Sequence, residues 1–344
     1  MGPAEDPPGV VVLYNESLHL IKGEPHDMLA ENGVIACAAE VAKALSDTYT
    51  VVQVPIHLDV ELALAPYPPT HWVVFNLGEG IEGRLFEVAR IAWALEAMGY
   101  RFTGSNGNAL AHTTHKALTK HKLTEAYLPT PRWWVMRDPE EVDGGELPFP
   151  LIVKPVAEDA SLGIGPEAIV HDTEALRKRV AYVVSCYRQS ALVEEFISGR
   201  EFNISIWGSE PEVLPLYEID FSDFRDPFSR IVSFAAKWEV DSFDYNHTPG
   251  VCPAKVNKRL GRQISQTALR AWKVLNCEGY ARVDIRVDKE EIPYVIEVNC
   301  NPDLSPEAGF YKAALTAGYT YREMVQRILQ MVYEPVNNKG LPFF

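Results

Sequence analysis

The sequence predicts an α/β chain with an α+β C-terminal part, and three observations carry that reading. Over roughly the first hundred residues, β-branched apolar runs alternate with amphipathic stretches, the pattern of a small Rossmann-like parallel sheet flanked by helices. Pro129, Pro131 and a loop rich in Asp, Glu, Gly and Pro over residues 137–150 then interrupt the chain. Beyond the loop, closely spaced pairs of strands are separated by long helical stretches, so a second unit starts there.

Taken in order, residues 10–13 form an apolar β-like run, residues 32–45 an Ala-rich amphipathic helix and residues 50–54 a second β-like run, together a βαβ unit. Residues 72–77 lead through Gly78-Glu79-Gly80 into a helical stretch over 84–98 that Gly99 ends. A helix beginning near Leu110 is broken by the two prolines, and a strand covers 151–154. A helix over 173–187, strands over 191–196 and 201–207, and a helix over 256–275 follow. Strands over 281–287 and 293–298 and a closing helix over 321–332 complete the chain before a loose tail.

With 344 residues, 47% hydrophobic and 23% charged, the chain can bury a substantial core and fill two or three subdomains. Its formal charge of -15 would repel a nucleic-acid backbone, whereas a small anion needs only a few well-placed lysines. Five scattered cysteines, Cys37, Cys186, Cys252, Cys277 and Cys300, are never spaced C-x-x-C, which argues against a disulfide framework or zinc knuckle and fits a reducing compartment. The start Met-Gly-Pro-Ala-Glu-Asp lacks the basic and apolar parts of a signal peptide, and no segment approaches the roughly 18 apolar residues of a membrane span. A cytoplasmic protein without membrane or nucleic-acid partners is expected.

The chemistry-bearing residues concentrate in the second half. Arg282-Val283-Asp284 and Glu297-Val298-Asn299 lie on two strands joined by a short charged turn. Residues two apart on a strand share a face, so these side chains can converge. Two carboxylates and an amide oxygen are the hard ligands Mg²⁺ takes beside nucleotide phosphates, with Arg282 placed to stabilise a transferring phosphoryl group. The alternative is a solvent-facing hairpin with a salt bridge. Lys154 ends an apolar strand and precedes a turn containing Ser161 and Gly163, which suits an anion; a solvated strand end is the competing reading. Glu194-Glu195-Phe196-Ile197 and Glu201 set carboxylates beside an apolar strand, either for ribose and adenine contacts or as an ordinary strand and turn.

The ordered series Lys116, Lys154-Pro155, Ser161-x-Gly163, Glu194-Glu195-Phe196-Ile197, Glu201, Ala236-Lys237-Trp238, Arg282-x-Asp284 and Glu297-x-Asn299 resembles the ATP-grasp superfamily, specifically its D-alanine–D-alanine ligase branch. Phe102-Thr103-Gly104-Ser105 and Cys252-Pro253-Ala254 are similar to segments of the same branch, and the similarity runs in order over residues 72–335. The resemblance implies a three-subdomain ATP-grasp fold: an N-terminal Rossmann-like α/β domain at 1–108, a central subdomain at 109–192, a C-terminal subdomain at 193–335 and a tail at 336–344. ATP would lie between the last two. Lys116, Lys154 and Lys237 would contact phosphates, the loop with Ser161 and Gly163 would close over them, Glu194, Glu195, Phe196 and Ile197 would line the adenine site, several of those contacts being made by backbone, and Glu201 would take the ribose. Asp284, Glu297 and Asn299 would hold two Mg²⁺ ions, Mn²⁺ being an alternative. The implied activity is ligation of a carboxylate to an amine through an acyl phosphate, which Arg282 stabilises, with ADP and phosphate released. A homodimer, as in many relatives, is left open.

Both substrate pockets depart from the branch. Its N-terminal Gly-Gly-x-Ser-x-Glu segment, whose Glu holds an amino group, is replaced by Tyr14-Asn15-Glu16-Ser17, and the partner Ser and Tyr align with Ala160 and Trp238. Where the second substrate binds, the chain has Pro302-Asp303 and Ala308-Gly309. An amino acid or related metabolite other than D-alanine is expected, with the indole of Trp238 as an apolar or cation-binding wall and Asp303 favouring a cationic amine. Glu16, Glu24 and Asp27 are carboxylates that could compensate for the missing triad. True D-alanine–D-alanine ligation, an intramolecular cyclisation, a catalytically silent ATP-binding regulator and a non-nucleotide binding module are the alternatives.

Overall fold

A computed structural model of the chain describes residues 8–81, 87–142, 145 and 147–334. The N-terminal part contains β1 (Gly9–Asn15), α1 (Met28–Leu45), β2 (Val51–Ile56), α2 (Val60–Leu64), β3 (Trp72–Asn76) and α3 (Glu87–Ala97). The first residues of the stretch expected at 84–98, and the tail at 336–344, lie outside the described residues. The three strands form a parallel sheet in the order β2-β1-β3. Val10 and Val12 of β1 pack into one core with α1, while Val11 and Leu13 pack into another with α2 and α3. Burial on both faces is why this strand reads as an unbroken apolar run rather than an alternating one. Helix α1 starts a turn earlier than expected because Glu24 and Asp27 cap the preceding 3-10 turn reciprocally.

Instead of one helix after Leu110, the chain forms α4 (Gly107–Thr114) and α5 (Lys116–Glu125). His115 between them is extended, and its ring accepts from Leu118 N at 3.4 Å. The break makes Lys116 the first residue of α5, where its backbone N donates to Val156 O at 2.9 Å. Next come β4 (Trp133–Met136), β5 (Leu151–Pro155), β6 (Ile169–Val170), α6 (Thr173–Tyr187) and β7 (Ala191–Glu195), the strands forming an antiparallel sheet in the order β4-β7-β5-β6. Leu151, Val153 and Val193 pack on Leu176, Val180 and Val183 of α6. Alternation therefore sends Lys154 and Glu194 to the opposite face.

The remainder holds β8 (Arg200–Trp207), β9 (Glu212–Val213), β10 (Tyr217–Ile219), α7 (Phe234–Trp238), α8 (Phe243–Asn246), β11 (Gly250–Val251), α9 (Lys258–Val274), β12 (Tyr280–Val287), β13 (Pro293–Asn299), α10 (Gly309–Thr316) and α11 (Tyr321–Gln330). Its antiparallel sheet has the order β11-β10-β8-β12-β13, with β9 beside β8. Phe202, Ile204, Val283 and Ile285 pack against Leu260, Ile264 and Ala268 of α9, positions four apart that make one helix stripe. The other sheet face is polar and carries Glu201, Asn203, Arg282, Asp284 and Arg286, opposite one another in the β8–β12 register. Among the described residues, no helix is long and apolar enough to cross a membrane.

Candidate active site

The polar faces of the central and C-terminal sheets meet in a dense set of charges. Asp284 and Glu297 are direct cross-strand partners, as are Arg282 and Asn299, so the expected convergence of the two motifs follows from register alone. Arg282 Nε and Nη2 donate to the two Asp284 oxygens at 2.7 and 2.8 Å, and Asn203 Nδ2 donates to Asp284 Oδ1 at 2.8 Å. Asn299 Oδ1 accepts from Asn301 N at 2.8 Å. Lys116, 4% exposed, donates to Asp159 Oδ1 at 3.1 Å and pairs with Glu297. Burial opposes its charge, but the two carboxylates outweigh burial and hold the ammonium above its ordinary pKa. Glu297, despite burial, is kept ionised far below the usual carboxylate range by Lys116. Asp159 takes the other side of that balance: burial pushes it up to about 7, with Lys116 opposing and Glu297 adding to the rise.

Lys154 is not a solvated strand end: it is 4% exposed and pairs with Glu194 Oε2 at 2.5 Å. The Glu194 carboxylate therefore faces two lysines, Lys154 and Lys120. Glu195, the next residue, turns to the other side of β7 and accepts from Arg132 Nε at 3.0 Å. Of the two glutamates expected at the nucleotide, strand alternation brings only Glu194 to the inner face. Phe196 and Ile197 are buried, and the Arg286 guanidinium lies over the Phe196 ring at 4.9 Å from its centroid. Arg286 Nη1 also donates to Glu201 Oε2 at 3.2 Å and Nη2 to Arg230 O at 2.9 Å. Burial pushes Glu201 up and Arg286 opposes the shift. Lys237 forms no ion pair among the described residues, and burial and the nearby Arg282 pull its pKa down.

The loop after β5 is held from two sides. Ala160, Ser161 and Gly163 have φ of 54°, 60° and 67°, and a Cβ on Gly163 would meet the Tyr187 ring at 2.8 Å. Ser161 Oγ donates to Val232 O at 2.8 Å, Phe234 N to Ile164 O at 2.8 Å, and Arg179 to Gly163 O. Trp238 Nε1 donates to Ala160 O at 2.9 Å, and a Cβ on Gly33 of α1 would meet the indole ring at 2.9 Å. The half-buried ring thus sits on α1, and its N–H ties the loop to α7. Asp303, exposed, accepts from Ser305 N at 2.8 Å and Ser305 Oγ at 2.9 Å. Glu24 and Asp27 are occupied by Tyr182 and Tyr187 at 3.2 and 3.1 Å, and Glu16 lies 3.8 Å from His57 Nε2.

Lys120, Asn203 and Arg286 were not singled out in the sequence. For the last, a signal existed: it continues the two-residue period of Arg282 and Asp284. Glu79 and Glu31 were also missed; burial raises both, and Asp303, Glu31 and Asp159 raise Glu79 further against the pull of Lys237. Asp284, Glu297 and Asn299 fit a hard cation by donor chemistry, all three offering oxygen. Among the described residues no three His, Cys, Asp or Glu side chains form a metal cage by themselves.

This fold and this arrangement define the ATP-grasp class. A family model described as D-ala D-ala ligase C-terminus matches residues 125–330. An uncharacterized protein of Sinorhizobium fredii, y4sG, is 33% identical over 277 residues, covering 80% of this chain and 79% of its own. A D-alanine–D-alanine ligase of Desulforudis audaxviator is 32% identical over 263 residues, covering 74% of this chain and 80% of its own. The crystal structure of a D-alanine–D-alanine ligase from Bacillus anthracis complexed with ATP superposes with a TM-score of 0.70 at 20% identity, covering 95% of this chain and 97% of that one. The chain belongs to the D-alanine–D-alanine ligase C-terminal family and is an ATP-grasp ligase.

Proposed function

We propose that the chain joins a carboxylate to an amine through an acyl phosphate, converting ATP to ADP and phosphate, with an acid other than D-alanine. The observation that carries the reading is the meeting of Lys116 from α5, Lys237 from α7, and Lys154 and Arg282 from the two sheets with Asp284, Glu297 and Asn299. A carboxylate is a poor acyl donor, and its attack on a phosphoryl group brings two anions together. The four cations lower that repulsion, and the pinned loop at 159–164 would keep water from the anhydride. In this reading the nucleotide lies between the parts at 109–192 and 193–335. Glu201 would take its ribose, and Asp284, Glu297 and Asn299 would hold Mg²⁺, which would neutralise phosphate charge.

The substrate side supports a different acid. A backbone carbonyl and an indole N–H stand at Ala160 and Trp238, where the branch has two hydroxyls. Glu31, Glu79 and Asp303 stand close together, and an amine that carries positive charge would offset the burial and mutual repulsion that raise Glu79. The test is phosphate release from Mg-ATP across amino acids and amines, D-alanine included, with mass spectrometry of the product. Glu297→Gln and Asn299→Ala should each abolish release while retaining the folded chain's circular dichroism. Near-normal turnover in both variants would reject the metal assignment. Efficient D-alanyl-D-alanine formation, with kcat/KM of roughly 10⁴ M⁻¹s⁻¹ or more, would reject the substrate assignment alone.

A further inference from the structure

A sealed group of charges links the two sheets behind the cleft. Lys120, Glu194 and Lys154 are 0%, 1% and 4% exposed. Lys120 holds Glu194 Oε1 and Lys154 holds Oε2, so each carboxylate oxygen has its own ammonium. Lys120 Nζ also donates to Thr130 Oγ1 at 2.9 Å, and that hydroxyl donates to Val295 O at 2.8 Å. The line of contacts thus runs from β13, the strand that carries Glu297, through α5 to the lysine at the end of β5. Burial of charge is costly, and a purely structural pair would be one to one. Two lysines share this one carboxylate in a dry site, with Glu297 the further anion that acts on both, so a phosphate brought to Lys154 would meet an ammonium that Glu194 neutralises only in part. Lys120 itself has no exposed surface with which to reach that phosphate.

We propose that Lys120 is a positioning residue for nucleotide binding: by occupying one oxygen of Glu194 it leaves the Lys154 ammonium only partly compensated and directed at the nucleotide phosphates. This rests on the reading above that Lys154 contacts phosphate. In direct support, burial pulls the Lys120 pKa down to about 8 against the pull of Glu194, with Lys154 adding to the fall. The two ammoniums thus repel each other across the carboxylate they share, with Glu297 opposing the fall as well.

The test is calorimetric binding of the Mg²⁺ complex of adenylyl imidodiphosphate, a non-hydrolysable ATP analogue. Lys154→Met should weaken binding by about tenfold, and Lys120→Met should do so by a similar factor although Lys154 is intact. In the double variant Lys120→Met/Glu194→Gln, removal of the carboxylate charge releases Lys154 while the backbone at residue 194, the part that would face the adenine, stays in place, and affinity should return to within about threefold of the native chain. A packing role for Lys120 predicts no such recovery. Native affinity in Lys120→Met, or a double variant as weak as the single one, overturns the proposal while leaving the function intact. Native affinity in Lys154→Met overturns both the proposal and the placement of Lys154 on the phosphates. Should Lys120→Met alone not fold, the double variant decides: affinity within about threefold of native supports the proposal, and a tenfold loss rejects it.

Discussion

Arg286 lies two residues beyond Asp284 on the polar face of β12, where it meets Phe196, Glu201 and the carbonyl of Arg230 at once. A planar guanidinium can serve these partners together; a lysine ammonium has neither the fork nor the flat face. If Glu201 takes the ribose, this contact lies away from the reacting phosphoryl group and contributes alike to ground and transition states. Arg286→Lys should therefore raise the KM for ATP by about tenfold while changing kcat less than about twofold. Steady-state kinetics with varied ATP decide it, and a kcat loss as large as the loss in kcat/KM would place Arg286 nearer the chemistry. The sequence exposed Arg282, Asp284, Glu297 and Asn299 because a period of two is a local property. It hid Lys120 and Asn203 because their partners, Glu194 and Asp284, lie 74 and 81 residues away in the chain and meet them only through the helix break at His115 and the β8–β12 register.

Among the elements, those with long apolar periods were legible: β1, α1, α6, α9, β12 and β13 all stand within a few residues of their expected bounds. Shorter ones such as β4, β10, α2 and α10 were not, because a few residues carry too little pattern to outweigh a nearby proline or glycine, as Pro129 and Pro131 do before β4. The loop after β5, expected to close over phosphates, is held by Tyr187 and Arg179 on one side and by the segment leading into α7 on the other. Gly163 is the point where this matters, since its φ of 67° disfavours a side chain and a Cβ there would stand 2.8 Å from the Tyr187 ring. Gly163→Ala should lower unfolding free energy by about 1–3 kcal/mol, seen as an earlier urea midpoint with an unchanged slope. An unshifted midpoint would mean that the loop yields without cost.

At the scale of the whole molecule, the cleft is held together by charges that a nucleotide and a metal would each disturb. Lys116 bridges α5 to Glu297 on β13, Arg282 locks Asp284, and Lys22 reaches Glu158 from the N-terminal part. Mg²⁺ arriving alone would compete with Lys116 and Arg282 for the two carboxylates. ATP arriving alone would bring its negative charge to Asp284 and Glu297, in a chain already at a formal charge of -15. In the reading proposed above, the two together would exchange partners, phosphates taking the lysines and arginine and the carboxylates the metal, so that no buried charge would be left unpaired. Binding to the folded state at 100 times Kd adds about 2.7 kcal/mol to stability, several degrees in Tm for a chain of this size. The thermal shift with Mg²⁺ and ATP together should therefore exceed the sum of the shifts with each alone. In Glu297→Gln, where Lys116 has lost one carboxylate and the metal one ligand, that excess should disappear. Differential scanning fluorimetry at low and moderate salt measures all the combinations, and strictly additive shifts in the native chain would show that the two ligands do not share these charges.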